Sequence, residues 1–225
     1  METLPSTGAG YALTRPLLFT GVAAPILYTL TVIWGGTLFP GYSHLADPIS
    51  SLTQAAREGT AGLVSLLFIY NGLIVIYGIT GISLSLGRRL WVWSFGLFIV
   101  TGLAGVLMWP FAQDPIGEPI GWTGIGHIVL AAVESFASMG AIGAAALGYR
   151  AAGRPAMTLF SLACLAVVFV SGLLAGIAIG AGWAYAGLLE RITIGTFELW
   201  VLVTAASFLA RALAANPSAG ATSPR

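Results

Sequence analysis

AMTLFSLACLAVVFVSGLLAGIAIG, residues 156–180, runs for 25 residues without a charged side chain. About 20 apolar residues wound as an α-helix, at a rise of about 1.5 Å each, cross the hydrocarbon of a bilayer. The run therefore reads as a membrane span. Working outward, five further segments qualify: 17–38, 61–86, 90–111, 123–148 and 188–210. The first is too long for the apolar region of a signal peptide, lacks a convincing cleavage site and is followed by five more spans, so it reads as a retained helix. The fold class is all-α: a polytopic membrane protein built as a six-transmembrane-helix bundle over residues 17–210.

Composition agrees. Of 225 residues, 57% are hydrophobic and 8% are charged, against about 25% charged in a soluble domain. A mean hydropathy of +0.92 leaves too few polar residues to cover a water-facing surface. The length suits one compact bundle with a short leading segment, 1–16, and a tail, 211–225, whose Ala, Ser, Gly and Pro content predicts disorder. A net charge of +1 gives no case for nucleic acid. The single cysteine, Cys164, lies in an apolar run and reads as a packing residue; an internal disulfide is impossible.

All nine basic residues are Arg. Arg15, Arg88, Arg89, Arg150, Arg154, Arg211 and Arg225 fall at one end of the bundle, Arg57 and Arg191 at the other. Under the positive-inside rule both termini are cytoplasmic, and the expected location is the cell (plasma) membrane. The connections at the arginine-rich end are short. The opposite end carries the long ones, FPGYSHLADPISSLTQAAREGT at 39–60 and PFAQDPIGEPIGW at 110–122. Asp47-Pro48 reads as an N-cap followed by a first-turn proline. With Ile49, Leu52 and Ala56 at helical spacing, it predicts a short interfacial helix at about 48–57. Both loops carry an aromatic-Pro pair and Asp-Pro-Ile (47–49 and 114–116), through hairpin duplication or through common loop chemistry.

The informative residues of a membrane protein are the polar ones within its spans, because a charge at a helix centre costs about 2.5–3.5 kcal/mol on insertion scales. Glu134 lies near the middle of the fourth span, Glu198 near the middle of the sixth, and Asn71 at a similar depth in the second. His127 precedes Glu134 by seven residues and Arg191 precedes Glu198 by seven, which places each pair on one helix face. Two such faces turned together make an outward-facing polar slot between the fourth and sixth helices, roofed by Asp114, Glu118 and Arg57. Two carboxylates then face one permanent cation. Either one carboxyl keeps its proton, or a cation completes the set.

Three readings of this constellation stay open: ion pairing that fixes helix register, a ligand or ion site, and catalysis. The candidate ligand-binding set is His127, Glu134, Arg191, Glu198, Asn71 and Asp114. No catalytic residue is assigned. His44, His127, Asp47 and Asp114 lie at one end and suit zinc as ligand types, but their spacing does not demand a metal. No metal or other cofactor is predicted. Gly172, Gly176 and Gly180 recur every four residues, as do Ala137, Ala141 and Ala145. Such stripes let helices approach closely inside a bundle, or, for the glycines, across a homodimer seam.

The order of motifs resembles a known family. PISSLTQ (48–54) is followed by WPFAQDP (109–115), then by His127 opening a helix, then by G-L-L-E-R (187–191) opening the last. The sequence resembles the bacterial and archaeal membrane family "domain of unknown function 998", itself loosely similar to the Frag1/DRAM/Sfk1 group of six-helix proteins. The resemblance spans about residues 17–210. It implies a six-helix bundle with a site near Asp114, His127 and Arg191, and it supplies no activity. In this chain Leu52 stands where an acidic residue is expected after the serines. The functional expectation is a membrane protein that binds a lipid or amphiphile, or a partner subunit, in the slot. The alternatives are a small proton- or cation-coupled transporter and an outer-leaflet lipid-modifying enzyme using His127 with Asp114 or Glu134.

Overall fold

The computed structural model describes residues 16–214 except Ala56, Leu86 and Ile116, and not the side chains of Leu213 and Ala214. The 1–16 segment and the 215–225 tail otherwise lie outside the described residues. Six long α-helices follow one another: α1 (Thr20–Leu38), α2 (Ala61–Leu84), α3 (Arg89–Leu107), α4 (Trp122–Ala151), α5 (Pro155–Ala181) and α6 (Ala186–Ala214). All six are long and apolar enough to cross a membrane. Between 28% and 39% of each span is buried inside the protein, so the apolar remainder faces outward. Leu159 and Phe136, at 70% and 72% exposure, belong to that outer face. Such a surface is stable only against lipid.

Local chemistry sets the helix ends. α4 stops where Gly153 adopts a left-handed φ of 65°, and the Arg154 amide donates back to the Tyr149 carbonyl at 2.9 Å. Pro155 then opens α5, a position where its missing N–H costs nothing. α5 closes in the same way at Gly182, with Trp183 N–H on the Ala178 carbonyl. The third span, expected to reach residue 111, ends at Leu107. Pro110 has no N–H to donate and its ring would strike the preceding turn. The sixth helix runs to Ala214, so the expected tail does not begin at 211.

Each helix packs against its neighbours in sequence, and α6 returns to α1, closing a ring. Six is an even number, so the start of α1 and the end of α6 lie at the same end, with Arg88, Arg89, Arg150 and Arg154. From mid-height to that arginine end the ring is filled by aromatic side chains. Trp200 stacks on Phe98 at 5.6 Å and 9°. Tyr77 meets Phe98 edge-on at 5.2 Å, and Trp91 meets Tyr149 at 4.7 Å. Trp200, Tyr77, Phe98 and Tyr149 are fully buried. The Trp200 indole N–H donates to Ser161 Oγ at 3.0 Å, the partner a buried indole needs. Ala137, Ala141 and Ala145 pack inside the bundle, where Ser94 Oγ donates to the Ala141 carbonyl at 2.9 Å.

Candidate functional site

The opposite, long-loop end is built around the first turns of α6. The opening N–H groups of a helix have no partner within it. Here Gly187 N–H and Leu188 N–H donate to the carbonyls of Ala46 and Leu45, at 3.1 and 2.9 Å. Gly187 is required because a Cβ there would overlap the Asp47 carbonyl. One turn on, Arg191 Nη1 donates to Asp47 O at 2.8 Å and to Gly187 O at 2.9 Å, and Nη2 donates to the Tyr42 hydroxyl. Tyr42 in turn donates to Pro48 O at 3.1 Å. Burial pushes the Tyr42 hydroxyl pKa up, against the opposing pull of Arg191, and keeps it a donor. Loop 39–60 is thereby latched onto α6, and Ala55 N–H ties it to Gln113 O of the second long loop at 2.7 Å.

The predicted interfacial helix is a five-residue 3₁₀ turn, Ile49–Thr53. Asp47 does not cap it. Its Oδ2 reaches back to Ser43 N–H at 2.7 Å. Glu190 of α6 takes the Ile49 N–H instead, so the cap comes from a residue far away in sequence. Ile49 and Leu52 are buried against Val32 and Leu63, and the turn ends where Gln54 is extended, with ψ at 153°, and the Ala55 amide bonds Gln113 instead of continuing the helix.

Beneath this roof lies a cavity of about 770 Å³, with walls from all six helices and the 3₁₀ turn. That is within the about 300–1,000 Å³ range of small-ligand pockets. His127, Glu134 and Asn71 line it, as do Arg57, Glu190, Tyr28 and Tyr70. The His127 Nδ1 lies 3.0 Å from the Phe111 carbonyl. A carbonyl only accepts, so Nδ1 carries the proton and Nε2 is the other nitrogen available for contact. Asn71, 8% exposed, lies over Gly105, where a Cβ would overlap its amide. Glu198 stands behind the wall. Tyr70 Oη donates to its Oε1, and its Oε2 is buried without a partner. Tyr28 and Tyr70 rings approach to 4.8 Å at the same level.

Two of the candidate residues serve elsewhere. Arg191 does not form a basic mouth above Glu198. The terminal nitrogens of its guanidinium go to the Asp47 carbonyl, the Gly187 carbonyl and Tyr42, because the exposed first turn of α6 must bind the loop that covers it. Asp114 does not line the cavity. Its carboxylate accepts Gly121 N–H at 2.6 Å and Thr123 Oγ at 3.2 Å, holding the start of α4. The possible zinc set is dispersed, and among the described residues no group of three or more His, Cys, Asp or Glu is arranged to hold a metal. Tyr28, Tyr70 and Glu190 were not singled out from sequence. A tyrosine within a span looks like packing, and Glu190 looks like a loop-end charge. Its place in G-L-L-E-R beside Arg191 was the one available signal.

The cavity is open sideways. Phe136 of α4 and Phe169 and Leu173 of α5 line it while being 72%, 57% and 58% exposed. They form a rim on the lipid-facing side of the α4–α5 seam. Gly172 and Gly176 belong to the same wall. A Cβ at Gly172 would meet Thr193 at 3.3 Å, whereas one at Gly176 would meet nothing within 4 Å. At Gly176 the chamber wall borders open space with no side chain in it.

A closed ring of six bilayer-length helices with a pocket at one end defines a polytopic α-helical membrane protein. The chain belongs to the family described as "Protein of unknown function (DUF998)", which matches residues 22–207, from the first turn of α1 to the last part of α6. Comparison with curated proteins and with solved structures gave no match.

Proposed function

We propose that this protein holds a single-chain membrane amphiphile in the chamber, admitted from the bilayer through the α4–α5 seam. The observation that carries the reading is the chamber's two-sided chemistry. Its rim is apolar and faces lipid, while Glu134, Asn71 and His127 line its interior. A polar head then sits inward and its tail leaves sideways. The seven-to-two arginine bias supports an extracytoplasmic roofed end, in a cell membrane. Binding is favoured over transport by the aromatic filling from mid-height to the arginine end, where Trp200 stacks on Phe98 beneath the chamber. Binding is favoured over catalysis because neither partner expected for His127 is hydrogen-bonded to it among the described residues: Asp114 accepts from Gly121 and Thr123, Glu134 makes no hydrogen bond, and the imidazole Nδ1 bonds the Phe111 carbonyl.

A photoactivatable long-chain alcohol, added to the protein in phosphatidylcholine nanodiscs and mapped by mass spectrometry, tests this. Labels are expected on chamber residues such as Met139 and Leu173. They should be lost in Gly176→Trp, which fills the chamber, and kept in Leu159→Trp, which puts the same indole on the outer face. Labels spread evenly over the lipid-facing surface, unchanged by Gly176→Trp, would overturn the proposal. Glu134→Gln and Glu198→Gln in proteoliposomes separate the alternatives, because loss of proton-driven flux would speak for transport.

A further inference from the structure

Taking the polar groups of the chamber one by one shows what they lack. Glu190 is occupied by the amide of Ile49. His127 has its Nδ1 proton on Phe111. Arg57 sits at the rim with its guanidinium over the Phe39 ring at 4.5 Å, and Arg191 is turned away into the loop. Besides the Tyr28 hydroxyl, which has no hydrogen bond among the described residues, three groups are left over at one depth. Glu134 has no hydrogen bond or ion pair among the described residues. The Asn71 amide, more than nine-tenths buried, has none either. Glu198, 3% exposed, leaves Oε2 unpartnered. Glu134 and Glu198 are near enough to interact electrostatically.

Either the carboxyls at this level keep their protons, or a positive charge completes the set. Acceptors predominate, and the two permanent cations of this end are held away from them. An anionic head would bring a like charge to any ionised carboxyl in a low-dielectric wall. A hydroxyl head would satisfy hydrogen bonding only while the carboxyls keep their protons, because an ionised one would stay uncompensated, which is costly away from water. An ammonium head satisfies both hydrogen bonding and charge. The rings of Tyr28, Tyr70 and Phe197 line the same level, and aromatic rings attract cations.

Resting on the amphiphile-binding reading, we infer that the occupant carries a protonated amine, received between Glu134 and Asn71. Glu198 contributes its field from behind Tyr70. Glu134 is the residue that selects the head, and the α4–α5 rim selects only for a tail.

The test uses the nanodisc protein and the long-chain alcohol photoprobe, displaced by amphiphiles with one alkyl tail and three heads: a primary amine, a hydroxyl and a sulfate, compared at equal membrane concentration. A hydrogen bond to a charged group is worth about 1.5–3 kcal/mol, so the amine should displace the probe about tenfold or more better than the alcohol. The sulfate should be weakest. Glu134→Gln should bring amine and alcohol together while the chamber is still labelled. Asn71→Asp, a second variant that adds a carboxylate, should widen the amine preference. Equal displacement by amine and alcohol in the wild-type protein, with chamber labelling intact, would overturn this inference and leave the chamber reading standing. Absence of chamber labelling would overturn both. Because the preference is read first in the wild-type chain, a misfolded variant does not decide the outcome.

Discussion

Replacing Arg191 by Gln probes the latch between α6 and loop 39–60. Of the three hydrogen bonds made by its terminal nitrogens, that to Gly187 stays within α6, so two cross to the loop, on Asp47 O and the Tyr42 hydroxyl. Each is charge-assisted, nominally about 1.5–3 kcal/mol. Arg191 is only half-buried, and Gln can remake one bond, so the net loss is about 2–3 kcal/mol. At a factor of ten per 1.4 kcal/mol this makes loop opening roughly 30- to 140-fold more frequent. The readout is built into the sequence. There is no Lys, and Arg57 and Arg191 are the basic residues of the long-loop end, so trypsin cleavage in this loop reports Arg57 alone. When the loop recloses faster than it is cut, the cleavage rate follows the opening equilibrium. In detergent at low protease, the Arg57 fragment, quantified by mass against cleavage at Arg150, should rise by that factor. A ratio within about threefold of wild type, less than 1 kcal/mol by the same conversion, in a variant that keeps its helical circular dichroism, would refute the latch.

Two further substitutions test the packing that positions the chamber. Gly105→Ala forces a Cβ into the Asn71 amide and should destabilise the protein by about 1–3 kcal/mol. In an Asn71→Ala background the penalty should largely vanish, and equal penalties in the two backgrounds would disprove the contact. Trp200→Ala opens the aromatic filling and removes the donor to Ser161. Its cost in a detergent-unfolding titration should be about 3 kcal/mol, the lower end for an aromatic truncation, because apolar surroundings weaken the transfer contribution. A loss below about 1 kcal/mol would show that the lower ring is not packed as described.

The spans were legible because length and apolarity are properties of contiguous residues. The run at 156–180 needs no partner to be recognised, and Gly153-Arg154-Pro155 marks a break from composition alone. The depths of Glu134 and Asn71 followed from the rise per residue, and both face the chamber. What sequence could not provide was rotation about each helix axis combined with competition for partners. Seven-residue spacing placed Arg191 and Glu198 on one face, but the exposed amides of α6 brought the loop down onto Arg191, while Glu198 was taken by Tyr70, 128 positions away. The capping of Ile49 by Glu190 spans 141 positions, beyond any local rule of helix starts. Asp47-Pro48 carried the right local signal and lost to that distant acceptor.

Glu190 belongs to two structures at once. It is the acceptor that starts the 3₁₀ turn of the roof, and it is part of the chamber wall. The two therefore draw on one carboxylate. A molecule that competes for Glu190 loosens the turn, and one that leaves it undisturbed while filling the space below props the roof shut. Thermodynamic reciprocity makes the exchange symmetric: whatever free energy occupancy adds to roof closure, closure returns to occupancy.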